Sequence, residues 1–497
     1  MKKIIALLLA CVMVLGLFAA CGSSNSTETT KATTAANDST ETKATEAATG
    51  EIPTLKWVQV GSGMPGNYDA WKANLDAYLE EKIGVHLDVE VVGWGEWDTR
   101  RNMIVSTNEP YDIMFTNSGA FYNDVAMGAF ADISGILETA APALKEFIPE
   151  AYWDACKVNG GLYAVPTYKD SSMTNYLVYD KNLVESAYPD YANVHTGADL
   201  GPVLEAMYAA NDNQPVFRMT QGGTHALYSG RFDAFSSTCN LIGVRYTDDT
   251  ATVVSVFEQE DVMAELRRLH EWYQAGYINQ DAPILTEQPN AYNPVGIAQG
   301  WSYAAVTTWG PNMGCEAVAI QYEDTVLSNE TVQGSMSCIS AASKYPEKCL
   351  QLLELVNTDS YVRDALFYGL EGDNFDYTAD GKVHRNNTDW TMAGYTQGTF
   401  FVVTQQDTEE VNQWDEVRAL NEQAIASPVL GFSFNLEPVA DQIAACQAIW
   451  KDYQSLFNTG SEDPDVIIPQ MLEEAYDAGL QQIIDEAQAQ IDAWKNA

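Results

Sequence analysis

Hydrophobic and polar positions alternate with two different periods near the start of the folded part of the chain. Leu55-Lys56-Trp57-Val58-Gln59-Val60 reads as a strand, and the glycine-rich stretch 61–67 reads as a loop. Trp71, Leu75, Tyr78, Leu79 and Ile83 then recur at helical spacing, with Gly84 where a C-terminal cap belongs. Val85, Leu87, Val89 and Val91 alternate as a second strand. A second helix is expected over 97–105, stopped by Asn108-Glu109-Pro110, and Tyr111-Asp112-Ile113-Met114-Phe115 reads as a buried third strand. This βαβαβ order predicts a mostly parallel sheet with helices on both faces. Ligands of such sheets sit beyond the carboxyl ends of the strands, which points to the loops 61–67, 93–97 and 116–121.

The remainder continues in α/β style. Residues 162–166, 177–179 and 303–308 read as strands. Val262, Leu266, Leu269 and Trp272 make one helical stripe, and Cys349, Leu350, Leu353 and Val356 make another. The C-terminus is strongly helical from Val439 to Trp494. A sequence of 497 residues is too long for one ordinary core, so two domains or more are expected.

The first residues have a different character. Met1-Lys2-Lys3 precedes an apolar run over 4–20 that fits a secretory leader better than a spanning helix. It ends at Phe18-Ala19-Ala20-Cys21, which resembles a bacterial lipobox with Phe18 where Leu is usual. On that reading 1–20 is a lipoprotein signal peptide and Cys21 carries the lipid; the alternative is a plain leader cut near Ala20, with Cys21 incidental. Residues 22–50 are nearly all Ser, Thr, Ala, Gly, Asn, Glu and Lys, and are expected to form a disordered spacer.

Charge narrows the function. Lys plus Arg number 26 against 69 Asp plus Glu, a net charge of −43. Such a field repels phosphate backbones and anionic headgroups, which excludes nucleic-acid binding and leaves membrane attachment to a covalent or hydrophobic anchor. The eight cysteines include no CxxC pair, and the five histidines make no HExxH motif, so no metal site or cofactor is implied. Disulfide pairing cannot be read from the sequence. Asp373-Asn374-Phe375-Asp376 with Asp380-Gly381 lacks the Glu that an EF-hand loop needs, and a polar hairpin turn is expected there.

Several stretches together resemble one family. Gly161-Leu162-Tyr163-Ala164-Val165-Pro166-Thr167-Tyr168, followed by Leu177-Val178-Tyr179-Asp180-Lys181-Asn182-Leu183, is similar to the strand, proline and crossover segment of the family 1 extracellular solute-binding proteins of ABC importers, the maltose-binding-protein-like group. Tyr111 to Phe115, Gln299-Gly300-Trp301 through Trp309-Gly310-Pro311, and Ala341 to Asp359 resemble further segments of it. The tail, Gly431 to Trp494, looks like the extra helical region of a lipoprotein subgroup. The resemblance implies a two-lobe, type II periplasmic-binding-protein-like α/β fold, each lobe a mostly parallel sheet flanked by helices. The three crossovers would fall near 168–173, 311–315 and 357–360. Lobe one would be 51–167 with 314–357, and lobe two 168–313 with 358–497. The implied function is capture of a carbohydrate, an oligosaccharide, between the lobes and delivery to separate permease subunits and, through them, their ATPase. The chain would be a monomer, lipid-anchored at the extracellular face of the cell membrane.

A sugar needs flat aromatic platforms for its C–H faces and planar polar groups for its hydroxyls. With twelve Trp and 26 Tyr, position decides. Trp94 after the second strand, Trp301 and Trp309 around the 303–308 segment, and Trp390 in a polar loop are the candidate platforms, whereas Trp97 reads as helix core. Asn117, Ser118, Tyr168 and Asp170 are the candidate hydroxyl partners, with His225 and Arg231 behind them; each could instead cap a helix or hold a turn. The rivals are a surface glycoside hydrolase, a protein presenting its ligand to a sensor, and a peptide binder. No nucleophile elbow, metal motif or phosphate loop supports an enzyme.

Overall fold

The computed structural model describes residues 52–235, 238–288 and 292–496. The leader, Cys21 and the 22–50 spacer lie outside the described residues. The opening βαβαβ unit forms as the periodicity requires: β1 (Thr54–Gly61), α1 (Tyr68–Ile83), β2 (His86–Gly93), α2 (Trp97–Thr107) and β3 (Ile113–Thr116). β1 pairs in parallel with both neighbours, Trp57 lying opposite Val89 and Ile113. α1 buries Trp71, Leu75 and Leu79 against the sheet, each contributing roughly 1.5–3 kcal/mol or more. It stops at Gly84, whose left-handed φ of 67° lets its N–H reach the Leu79 and Glu80 carbonyls.

Two strands complete this sheet on the far side of β3. Met336–Ile339 runs antiparallel to β3, and Val165–Pro166 pairs with Met336–Ile339. The second sheet has the order Val295–Gln299, Met173–Asp180, Ala317–Leu327, Ile425–Ala426. Its first two pairings are antiparallel and its last is parallel. Both sheets are therefore mixed, and the mostly parallel order expected of each lobe is confined to β2-β1-β3. The reason is topological: Met336–Ile339 enters the first sheet from the other one and must run against β3.

Two large hydrophobic cores follow the two sheets. The first gathers residues from Leu55 to Tyr168, then from Leu327 to Ala393; the second gathers Leu177 to Tyr322 and then Val429 to Ile491. This moves two of the expected boundaries. Ala317–Leu327 pairs with Met173–Asp180, so residues up to 327, placed from 314 onward in lobe one by the sequence, belong to the second sheet. Val362, Leu366, Trp390 and Met392 pack into the first core, so the chain does not leave it near 357–360. The chain passes between the two sheets at 167–172, at 328–335 and at about 400–424, whereas the resemblance put its second and third crossovers near 311–315 and 357–360.

Residues 303–308 are not a strand. Gly300 ends the strand Val295–Gln299, and Ala305–Trp309 forms a π-helical turn that runs into the short helix Gly310–Met313. The β-branched run Val306-Thr307-Thr308 suggested extension. Just ahead of this turn the distant Glu416 carboxylate accepts the Ser302 and Tyr303 amides at 2.7 and 3.4 Å, which holds the backbone in a bend rather than an extended strand. At the C-terminus, the helices Ala440–Asn458, Pro464–Asp477 and Leu480–Lys495 bury Ile443, Met471, Leu480 and Ile491 against the second core. The six described cysteines are unpaired.

Candidate functional site

The carboxyl edge of the first sheet presents a flat aromatic surface. β2 ends at Gly93, and Trp94 opens a single 3-10 turn that leads into α2. Trp94 is 46 % exposed and leans on the edge of Phe115 from β3, with ring centroids 6.0 Å apart. Beside it stands Tyr395, 47 % exposed, its ring within 10° of the Trp94 plane at 6.3 Å. Burial raises the pKa of the Tyr395 hydroxyl. Trp97, one turn further on, is buried against Phe115, as its helical position requires.

Tyr395 reaches this edge because the segment 391–397 lies along the end of β1. Ser62 N donates to the Thr391 carbonyl at 2.8 Å, Ala393 N to the Val60 carbonyl at 3.3 Å, and the Thr391 hydroxyl to the Gly63 carbonyl at 2.7 Å. Below, the Gln397 amide donates to Gln59 on β1. An open groove of about 650 Å³ runs beside Trp94, lined by Ser62, Gly63, Gly93, Gly95, Glu96 and Arg100. The Arg100 guanidinium is committed to Glu90 and Glu109 at 2.5 and 2.6 Å and holds the Glu109 carboxyl down to about 2. The groove therefore offers the Ser62 hydroxyl, backbone groups and the Glu96 carboxylate next to the strand end that carries Trp94.

The other candidates separate. Asn117 and Ser118 sit partly exposed in the loop after β3. The Asn117 side-chain oxygen accepts the Gly119 amide at 3.2 Å, and Ser118 N donates to the Gln333 carbonyl at 2.9 Å. Asn117 thus orders its own turn while its amide nitrogen and the Ser118 hydroxyl stay at the same edge. Tyr168 is 3 % exposed, walled in by Phe147, Tyr152 and Phe401 at 4.8–5.8 Å. Burial raises its hydroxyl pKa, and its position is that of a packing residue at the first crossover. Asp170 pairs with Lys169.

Trp390 departs most from expectation. It is 9 % exposed, its ring lies 5.4 Å from Trp71, and its indole N–H donates to the Leu366 carbonyl at 3.0 Å. The polar residues around it serve a neighbouring hairpin, Phe375–Tyr377 with Val383–Arg385: Asn386 donates to Asp376 and Asn387 to the Asp373 carbonyl. That hairpin is also where the Asp373–Asp380 stretch lies, and among the described residues no group of His, Cys, Asp and Glu is arranged to hold a metal. His225 is exposed in its loop. Arg231 is engaged by Asp261, Glu265 and Glu323 at 2.7–3.1 Å, an ion-pair network that occupies its guanidinium.

Trp301 precedes the π-turn and Trp309 ends it, both partly buried. Trp309 packs on Tyr176 at 5.6 Å. Trp301 donates to the Gln413 side chain at 3.0 Å and lies 5.7 Å from Trp414, which in turn stacks on Phe400 at 4.2 Å. With Phe367 and Phe401 these rings form a small separate cluster where the chain passes between the sheets. Sequence reasoning missed Tyr395, Gln413, Trp414 and Glu416. The available signal was an aromatic behind a glycine in Gly394-Tyr395-Thr396, and a Trp among hydrogen-bonding residues at 412–416. A small apolar pocket between Cys239, Ile443, Cys446, Leu480 and Ile483 has room for about 10 Å³, less than one sugar ring needs.

The family model described as "Bacterial extracellular solute-binding protein" matches residues 61–308, and a "Domain of unknown function (DUF3502)" matches 428–496, the C-terminal helices. The chain is 28 % identical over 465 residues to a carbohydrate ABC transporter substrate-binding protein of Streptococcus pneumoniae serotype 4, covering 90 % of this chain and 92 % of that one. The N-glycan transport solute binding protein NgtS of Streptococcus pneumoniae superimposes with a TM-score of 0.79 at 26 % identity, over 89 % of this chain and 98 % of that one. The same protein in complex with Man5GlcNAc gives 0.65 at 25 % identity, over 89 and 99 %. An HMO-binding solute-binding protein of Bifidobacterium longum infantis, 15 % identical over 89 and 99 %, shares the fold at 0.60. With its two-sheet architecture, its ordered motifs and these matches in agreement, the chain belongs to the family 1 bacterial extracellular solute-binding proteins.

Proposed function

We propose that this protein captures an oligosaccharide between its two lobes and delivers it to the permease of an ABC importer. The observation that carries the reading is the near-parallel pair Trp94 and Tyr395, half exposed at the carboxyl edge of β2 beside a groove lined by Ser62, backbone groups and Glu96. A buried core has no use for two such rings at its rim, whereas a pyranose face does. The relatives named for N-glycan transport and bound to mannosyl-GlcNAc sugars support a glycan of that kind. The lower superposition with the sugar complexes, 0.68 and 0.65 against 0.79, is the direction expected if a bound sugar changes the angle between lobes.

On this reading the first lobe is 52–167 with 328–399, the second is 173–327 with 425–496, and Trp301, Gln413 and Trp414 lie at their junction. The protein binds without transforming its ligand. It works outside the cell, held by a lipid on Cys21 at the end of the 22–50 spacer; among the described residues no helix is long and apolar enough to cross a membrane. Two acyl chains suffice for such a hold, at about 0.8 kcal/mol per buried methylene. Calorimetric titration with a panel of mannosyl-GlcNAc oligosaccharides, followed by chromatography of the sugars recovered, tests the proposal. Binding with the sugars returned intact supports it. Shortened sugars would mean a hydrolase, and binding of peptides alone would mean a different cargo.

A further inference from the structure

Tyr395 sits on a loop, and loops do not hold an aromatic ring in place by themselves. What holds this loop is a buried cation. Arg363, on the helix Ser360–Phe367, is completely buried, and among the described residues it makes no ion pair. Its guanidinium instead donates to three backbone carbonyls of one short segment: Nε to Thr399 at 2.6 Å, and Nη2 to Gly394 at 2.7 Å and Gly398 at 3.2 Å. Its flat face lies over Phe367, 5.1 Å from the ring centre.

The segment is built to be reached. At Gly394 an added Cβ would lie 2.9 Å from Phe367 Cα, and at Gly398 it would lie 2.6 Å from Val356, so only glycine lets both carbonyls come this close to the helix. Asn357 accepts the Thr399 amide at 2.9 Å from the neighbouring helix. Thr396 offers its carbonyl to the Ser335 hydroxyl at 2.8 Å, beside the second crossover. Burying an unpaired cation is costly, and an apolar residue of the same length would fill this space more cheaply. A planar fork with fixed directions is required only if several fixed acceptors must be satisfied at once. Here those acceptors are the two ends of the turn that carries Tyr395.

We propose that Arg363 is the positioning residue of the sugar platform: it clamps residues 394–399 so that Tyr395 stays beside Trp94 before any ligand arrives. This rests on the reading that Trp94 and Tyr395 hold the sugar, and it extends that reading to a residue that never touches the ligand. The gain is preorganisation, since a ring already in place need not be ordered on binding.

The test combines two measurements on the full chain. In the sugar-free protein, hydrogen exchange of the amides of 394–399 should speed up at least tenfold in Arg363→Met, while α1 and the second lobe keep their protection. In calorimetry with a mannosyl-GlcNAc oligosaccharide, Arg363→Met should weaken binding fivefold or more. The same substitution in a Tyr395→Ala background should weaken it by less than twofold, because the ring it positions is gone. A general loss of stability would not show that dependence on Tyr395. Unchanged exchange at 394–399, or equal losses in the two backgrounds, overturns the proposal. Should Arg363→Met fail to fold, Arg363→Lys keeps the charge without the fork and is read by the same criteria. Should the wild-type chain bind no sugar, the platform reading fails, and the exchange measurement still decides whether Arg363 clamps the segment.

Discussion

Trp94 and Trp390 stand in similar company in the sequence, each in a short polar stretch between elements, yet one is 46 % exposed and the other 9 %. The difference lies in what each loop packs against. The 386–391 loop crosses back over α1, where Trp71 and the Leu366 carbonyl take up the indole completely. The loop after β2 leaves the sheet at its carboxyl edge, where Phe115 supports only one side of Trp94. A polar neighbourhood in sequence thus describes the backbone around a tryptophan, and the position along the strand decides whether its face stays open.

Four substitutions sharpen that contrast. Trp390→Ala should cost the most, about 3–5 kcal/mol of stability, because it empties a buried site and strands the Leu366 carbonyl. Urea denaturation would read this, with sugar affinity unchanged at temperatures where the variant stays folded. Trp94→Ala should do the opposite, weakening sugar affinity tenfold or more, about 1.4 kcal/mol, while the melting temperature moves by no more than a few degrees. Asp359→Ala removes the side chain that caps the Arg363 helix by accepting the Tyr361 and Val362 amides. It should lower stability by about 1 kcal/mol, with affinity following only as far as the helix shifts. Tyr395→Phe keeps the ring and removes only its hydroxyl, so calorimetry should find a loss of no more than roughly 0.5–1 kcal/mol in affinity. A larger loss would mean that the hydroxyl itself meets the ligand.

Much of the first sheet and of the helices beside it was legible because the signals are local. Trp71, Leu75 and Leu79 at helical spacing, Gly84 as a stop, and alternation at Val85–Val91 are each set by neighbours a few residues away. Trp94 followed from the same logic, as the residue after a strand of a parallel sheet. What could not be read depended on distant partners. Val306-Thr307-Thr308 looks extended until Glu416, more than a hundred residues on, takes the amides just ahead of the π-turn. Ala317–Leu327 carries no mark saying which sheet it joins; pairing with Met173–Asp180 settles that. Tyr168, adjacent to a crossover, looked free to meet a ligand, and three rings from other segments close over it. Tyr395 was invisible because its value comes from Trp94, three hundred residues earlier, and from a clamp of backbone carbonyls that no side-chain pattern announces.

The central claim is that the rim formed by Trp94 and Tyr395 is where the sugar is held. Calorimetric titration of a mannosyl-GlcNAc oligosaccharide into the Trp94→Ala/Tyr395→Ala double variant, beside the wild-type chain, tests it most directly. The account predicts measurable binding by the wild type and a loss of at least a hundredfold in the double variant, with circular dichroism and melting temperature nearly unchanged. Equal affinity in a double variant that is fully folded would contradict it.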